Sequence, residues 1–252
     1  MTTITAPVRT SYAGRTADPM RGHARAAGIF YLLTFASSIP ALILIGPVLH
    51  DAYYVTGAGQ DTRVLWGCIL DAVNALTAVG SAVALFPVVK RQNESMALGF
   101  VTSRLMEAAV IMIGVVSLLA VVTMRQDLAG ATGDTTAATT VANALVDVRN
   151  WTFLFGPGLM PVFNAVLLGT LLYRSRLVPR IIPTVGLIGA PLLLTSMLAT
   201  YFGVFDQVSS ASALLTLPVA AWELSVGTWM TFKGFNASAP VLARSGLEDD
   251  QT

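Results

Sequence analysis

Arg104 and Glu107 stand three residues apart inside one long apolar run, and Asn164 and Glu223 stand inside two others. Residues three apart share a helix face, so Arg104 and Glu107 point the same way if their run is helical. An ionised side chain at a bilayer centre costs about 2.5 to 3.5 kcal/mol on insertion scales, so such residues turn into the protein and pair. With a rise of about 1.5 Å per residue, Glu107 lies roughly 15 to 18 Å from the start of its run at Ser95. By the same rise, Glu223 lies roughly 15 Å from Lys233 and Asn164 roughly 13 to 15 Å from Tyr173. Three runs thus bring polar groups to one depth. The chemistry on offer is that of a permanently charged guanidinium, two carboxyls and an amide. It suits a substrate pocket, a proton-coupled carboxylate, a catalytic pair, or a buried network that fixes packing. Arg104 can bond one carboxylate through its fork and leave the other acid protonated. The surplus acid tilts the reading towards function.

Asp71 and Asn74 share one face of another run, with Ser81 further along it. They line an outward vestibule or sit near the interface and reach water. FGPGLMPVFN, from Phe155 to Asn164, is the densest Gly and Pro cluster and leads directly to Asn164. Each interior proline frees a carbonyl and can kink its helix, and a locally broken helix beside a binding site is a transporter habit. Gly and Pro are also common in membrane helices for other reasons. Gly186, Gly189 and Ala190 offer a small-residue packing surface. Trp151, Tyr201, Trp222 and Trp229 read as interface anchors or core filler, and Tyr31 carries little weight alone.

Other chemistries find no support in the sequence. HExxH, GxSxG, a P-loop, a Rossmann glycine pattern and an EF-hand are all missing. One cysteine, Cys68, makes no internal disulfide and no cysteine metal cluster, and two histidines, His23 and His50, make no histidine-rich metal or haem site. The acids are isolated rather than clustered for magnesium. No cofactor is expected. A net charge of +1 without a basic stripe gives no reason to expect nucleic acid as a partner.

The elements that must position these residues follow from composition. Of 252 residues, 54% are hydrophobic and 12% charged, against about 25% charged in a soluble domain. Six runs approach or exceed the roughly 20 apolar residues that a membrane helix needs: 26–49, 64–89, 95–124, 151–173, 181–205 and 207–232. They are too long and continuous for barrel strands, which alternate. The expected fold is all-α, a single six-helix transmembrane domain over 25–235. A disordered tail is expected over 1–24 and a second, acidic tail over 236–252. The stretch from Arg125 to Asn150 reads as a loop with one short helix near Val141 to Val148. Eleven basic residues fall on the side of the two termini and three (Arg63, Arg125 and Arg149) on the other; with Arg104 inside a span, they make up all 15. The positive-inside rule then places both termini in the cytoplasm, with the chain in the cell membrane.

Three stretches carry a family pattern: RAAGIFYLLTFASSIPA at Arg25 to Ala41, the long AVALFPVVKRQNESMALGFVTSRLMEAAVIMIGVVSLL at Ala82 to Leu119, and WELSVGTWMTFKGF at Trp222 to Phe235. In these the chain resembles the DUF4386 family, bacterial multi-span membrane proteins of uncharacterised function. The resemblance implies an architecture and a shared polar signature, with no catalytic or ligand residues to carry over. The function expected is that of a membrane protein with a polar intramembrane site. A small-molecule transporter leads, ahead of a membrane-embedded enzyme or lipid-binding protein and of a structural accessory subunit. The bilayer and a small-molecule or lipid ligand are the expected partners.

The basic asymmetry generates a topology test. In a Cys68→Ala background, cysteines at positions 91 and 176 should react with an impermeant thiol reagent only from the cytoplasmic side, and one at position 133 only from outside. Cytoplasmic labelling at position 133 would invert the orientation.

Overall fold

A long apolar run in lipid has no water to bond its backbone, and a helix satisfies those groups internally. The computed structural model describes residues 19–130 and 133–243, and among these residues the only regular structure is helical. The elements are α1 (Pro19–His50), α2 (Asp61–Val89), α3 (Glu94–Asp127), α4 (Thr136–Phe155), α5 (Met160–Ser175), α6 (Ile181–Tyr201), α7 (Ser210–Phe232) and the short α8 (Pro240–Ala243). Local chemistry sets several ends. The Asn93 side chain accepts from the Met96 N–H at 2.9 Å and starts α3. Ser209 does the same for α7 through the Ser212 N–H. Arg176, at φ 56°, ends α5 in the left-handed conformation.

Several boundaries differ from the sequence expectation. α1 begins at Pro19, so the end of the expected tail is helical; residues 1–18 of that tail lie outside the described residues. The stretch read as a loop with one short helix near Val141 to Val148 is helical over most of its length: that helix falls inside the longer α4, which begins at Thr136, and α3 continues to Asp127. Asp134 accepts from the hydroxyl and the N–H of Thr136 and helps to start α4. The same bonds, the hydroxyl's first, hold its carboxyl below the usual range. The fourth run is two helices that break at Gly156 to Leu159. A Cβ at Gly158 would strike the Leu154 carbonyl, and the Gly158 N–H instead bonds Phe153 O at 3.0 Å. Past Phe232, the segment expected as a tail begins packed: the Asn236 N–H donates to Leu177 O at 2.8 Å, and Ala239 and Val241 are buried.

Neighbouring helices pack in the order α1, α2, α3, α5, α6 and α7, with α7 returning to α1 to close a ring, and α4 lies against α3. Among the described residues, five helices are long and apolar enough to cross a membrane: Met20–His50, Asp61–Val89, Glu94–Asp127, Thr136–Ser175 taken across its break, and Ile181–Tyr201. α7 has 23 residues but carries Glu223, Pro218 and several hydroxyls, which lower its apolarity; it packs between α6 and α1. Large side chains such as Ile43, Leu76, Val116, Leu217 and Phe232 point out of the bundle. That outer surface suits lipid and would aggregate in water.

In lipid, close packing rather than water exclusion holds helices together, so small residues matter at their crossings. Gly28 meets Gly227 and Thr231 where α1 crosses α7, and Gly186 receives the fully buried Trp222 ring. Pro47 cannot donate to the Ile43 carbonyl four residues back. Arg63 Nη2 bonds that carbonyl at 3.1 Å instead.

At Gly186 there is no room for a side chain, because a Cβ would overlap the Trp222 ring. Gly186→Val should therefore cost about 1 to 3 kcal/mol, read as a lower Tm in detergent. Gly133→Ala, with nothing within 4 Å, should melt like the parent. Equal melting of the two variants would mean that the α6–α7 crossing does not hold the bundle.

Candidate functional site

The ring brings Arg104, Glu107, Asn164 and Glu223 together from α3, α5 and α7. Arg104 Nη1 donates to Glu107 Oε2 at 3.1 Å and Nη2 to Glu223 Oε1 at 2.7 Å. Asn164 Nδ2 donates to the same Glu107 Oε2 at 2.8 Å. Asn164 is 0% exposed, Arg104 1%, Glu107 6% and Glu223 9%. The guanidinium carbon lies 4.9 Å from the centre of the Tyr31 ring of α1 and 5.9 Å from that of Phe100. Such faces stabilise a desolvated cation by about 2 kcal/mol. Ser103, next to Arg104, donates to the Met160 carbonyl just after the helix break, at 3.4 Å. The break thus places α5 so that Asn164, one turn further on, reaches Glu107. Asn164 Oδ1, Arg104 Nε and Trp222 Nε1 are buried with no hydrogen-bond partner among the described residues.

Asp71 and Asn74 lie elsewhere. Arg149 of α4 donates from Nη2 to Asp71 Oδ2 at 3.1 Å, and its guanidinium stacks 4.8 Å from the Phe153 ring. Both members of this pair are buried. α4 can come this close because α3 offers Gly114, where a Cβ would meet Thr152 Oγ1 at 2.6 Å and Arg149 Cδ at 2.7 Å. The sequence reading set Arg149 among the residues of an outer loop; the earlier start of α4 carries it into the bundle. One signal for it was present: a carboxylate inside a span needs a cation, and Arg149 stands two residues before the fourth run. Tyr31, given little weight, lies under Arg104.

A third pair closes the rim. Asp61 at the start of α2 accepts from Arg125 Nη1 at 2.6 Å and from the Tyr54 hydroxyl at 2.9 Å. Burial, then the bond to Asp61, pushes the Tyr54 hydroxyl well above its usual range. Counting about 1.5 Å per residue inward from this rim, Asp71 lies about 15 Å deep along α2 and Arg104 about 31 Å deep along α3. The two polar layers are therefore about 16 Å apart along the bundle.

A cavity of about 340 Å³ opens at the level of Asp71. It runs from Gln207 and Ser209, between α6 and α7, inward to Asn74, Ile111 and Thr216. Asp71, Arg149, Asn74 and Thr152 give one polar wall, and Ser196 and Ser212, 3.1 Å apart, give another. Ile39, Leu42, Phe153, Leu193 and Met197 make the rest apolar. The size falls within the range of small-molecule sites, and the mix of mainly apolar wall with a few placed polar groups is typical of them. The Arg104 layer lies below: Glu107 one turn beyond Ile111, and Glu223 two turns beyond Thr216.

The helical bundle, its apolar outer surface and its buried ion pairs define a multi-pass integral membrane protein. The family model of the domain of unknown function DUF4386 matches residues 26–234, and the chain belongs to that family. Comparison with curated proteins and with solved structures finds no match.

The network makes Arg104 the member whose loss costs most. Arg104→Ala leaves two acids without a cation and should destabilise by about 3 to 5 kcal/mol, the usual cost of breaking a buried pair. Glu223→Gln keeps an acceptor for Nη2 and leaves one acid for one base, so it should be milder. Folded yield and Tm in detergent check the order, and a more stable Arg104→Ala would refute it.

Proposed function

We propose that the chain is a six-span membrane protein, with both termini in the cytoplasm, that carries a small amphipathic molecule through the cavity between α4, α6 and α7. α7 supplies the sixth span: it closes the ring against α1 and donates Glu223 to the interior. The basic asymmetry supports the orientation, because the rim pair Asp61–Arg125 and the open end of the cavity lie on the side with few basic residues.

The observation that carries the reading is the cavity itself. An inert bundle would fill this volume with side chains. Here the walls are largely apolar, with an ion pair, an amide and hydroxyls held at one side. Such a wall suits a molecule with a hydrocarbon body and one neutral-polar or zwitterionic group, since Asp71 and Arg149 together add no net charge. The Arg104 layer forms the inner barrier, and the break at Gly156 to Leu159 separates α4, which holds Arg149, from α5, which holds Asn164. A discontinuous helix with one polar group on each half matches the construction of carriers that open to one side at a time.

A filled cavity tests this. Ser212→Trp should keep the fold, because the ring has space to occupy, and should block access. Solutes accumulated by cells that express the parent or Ser212→Trp can be compared whatever the ligand is. A solute that the parent accumulates or depletes and the variant does not supports the reading. Identical solute profiles, with both proteins folded in the membrane, overturn it.

A further inference from the structure

We infer that the Arg104 network holds one bound proton, shared by the carboxyl pair of Glu107 and Glu223. Charge balance is the first argument. Arg104 cannot lose its proton at any ordinary pH, and two ionised carboxylates beside it would leave one uncompensated negative charge in the bundle interior. Burying an unpaired charge is the expensive case, and a carboxyl pair around one cation avoids it by keeping one acid neutral. The groups that face the pair supply no second cation among the described residues. Arg104 is on the same helix, and α1 presents Tyr31. α5 presents Asn164, and α6 is without a charged side chain. Arg149 is engaged by Asp71, about 12 Å nearer the rim than Glu107 along the helices.

The second argument is independent of charge. Asn164 is fully buried and aimed at Glu107, since its Nδ2 donates to Glu107 Oε2 at 2.8 Å. The other half of the same amide, Oδ1, is an acceptor without a donor. A buried acceptor left empty costs about 1 to 3 kcal/mol. A carboxylate has no hydrogen to offer it, whereas a carboxylic acid does. An amide and a carboxylic acid form a mutual pair, N–H to carbonyl and O–H to carbonyl, which the amide of Asn164 can complete only while the proton is on Glu107. When the proton is on Glu223, Glu107 is the ion that receives both Arg104 Nη1 and Asn164 Nδ2. The proton thus has two seats, both in contact with the guanidinium, and the pair binds it as a unit. This inference stands apart from the carrier reading, because it requires only the network and not a ligand in the cavity.

Infrared spectroscopy of the full-length protein in lipid tests it. The parent should show the C=O stretch of a protonated carboxylic acid, shifted in D₂O. Glutamate-specific ¹³C labelling should move that band and aspartate labelling should not, which separates the pair from Asp71. The chain has four glutamates, at 94, 107, 223 and 248. Glu107→Gln and Glu223→Gln should each abolish the band, because the remaining acid then faces Arg104 alone and ionises. The labelling of the parent decides even if one variant does not fold. No protonated glutamate band in the parent, or a band that survives in either variant, overturns the inference.

Discussion

The guanidinium of Arg104 is a charge that titration cannot remove, set where water does not reach. Everything around it answers that constraint. Two carboxyl groups accept from its two Nη groups, and the rings of Tyr31 and Phe100 line it. These partners come from α1, α3 and α7, and Asn164 of α5 steadies one of the acids. The two acids sit on different helices, α3 and α7, and the nearer ring on a third, α1. The need to enclose one cation therefore favours the closed ring in which α7 returns to α1, and glycines at that crossing allow the approach. α7 is not among the helices apolar enough to span on their own, in part because it carries the counter-charge, and its place in the bundle compensates what lipid alone would not favour.

The same logic divides the interior. One apolar cluster joins Tyr31, Leu85, Phe100, Leu168, Leu193 and Trp222 across α1, α2, α3, α5, α6 and α7 on the side of the Arg104 layer, and a second joins Ile45, Cys68, Ile111 and Leu118 from the rim-ward parts of α1, α2 and α3. α4 continues the second and α5 the first, so the break at Gly156 to Leu159 falls where the chain passes from one cluster to the other. The volume between α4 and the α6–α7 pair is left open. Trp151 and Phe155 of α4 meet Tyr201 of α6 through ring edges at 5.9 and 6.2 Å.

Much of this was legible in the sequence because lipid imposes simple rules. A charge cannot face hydrocarbon, and helix rise converts residue number into depth, so Arg104, Glu107, Asn164 and Glu223 could be placed at one level without coordinates. Lipid exposure also makes each run continuous, which located the helices. Polar stretches carry no such rule. Arg125 to Asn150 read as a loop with only a short helix near Val141 to Val148, since Thr and Ala there give no longer apolar period, yet residues 136–150 form most of α4 and deliver Arg149. The start of α1 at Pro19 was hidden for the same reason. An outward vestibule at Asp71 and Asn74 was one of two alternatives the sequence left open; the shape of the cavity was not legible, because it depends on where α4 leans, which is set by Gly114 and by the turn at Gly158, not by composition.

The cations at the two ends of the bundle differ in what holds them. At the rim end, Arg63 is tied to the Ile43 carbonyl and Arg125 to Asp61, and deeper in, Arg149 is tied to Asp71. At the opposite end, Arg21, Arg25, Lys90, Arg91, Arg174, Arg176, Arg180 and Lys233 form no ion pair among the described residues. The rim arginines serve the protein's own backbone and carboxylates. The others hold no carboxylate, with Lys90 over the Phe86 ring and Arg180 over that of Tyr173, and a contact with an anionic lipid headgroup would add about 1 kcal/mol each near a charged leaflet. A lipid surface therefore meets a molecule with one electrostatically saturated face and one adhesive face, so the grip on the bilayer is asymmetric even where the apolar girdle is not.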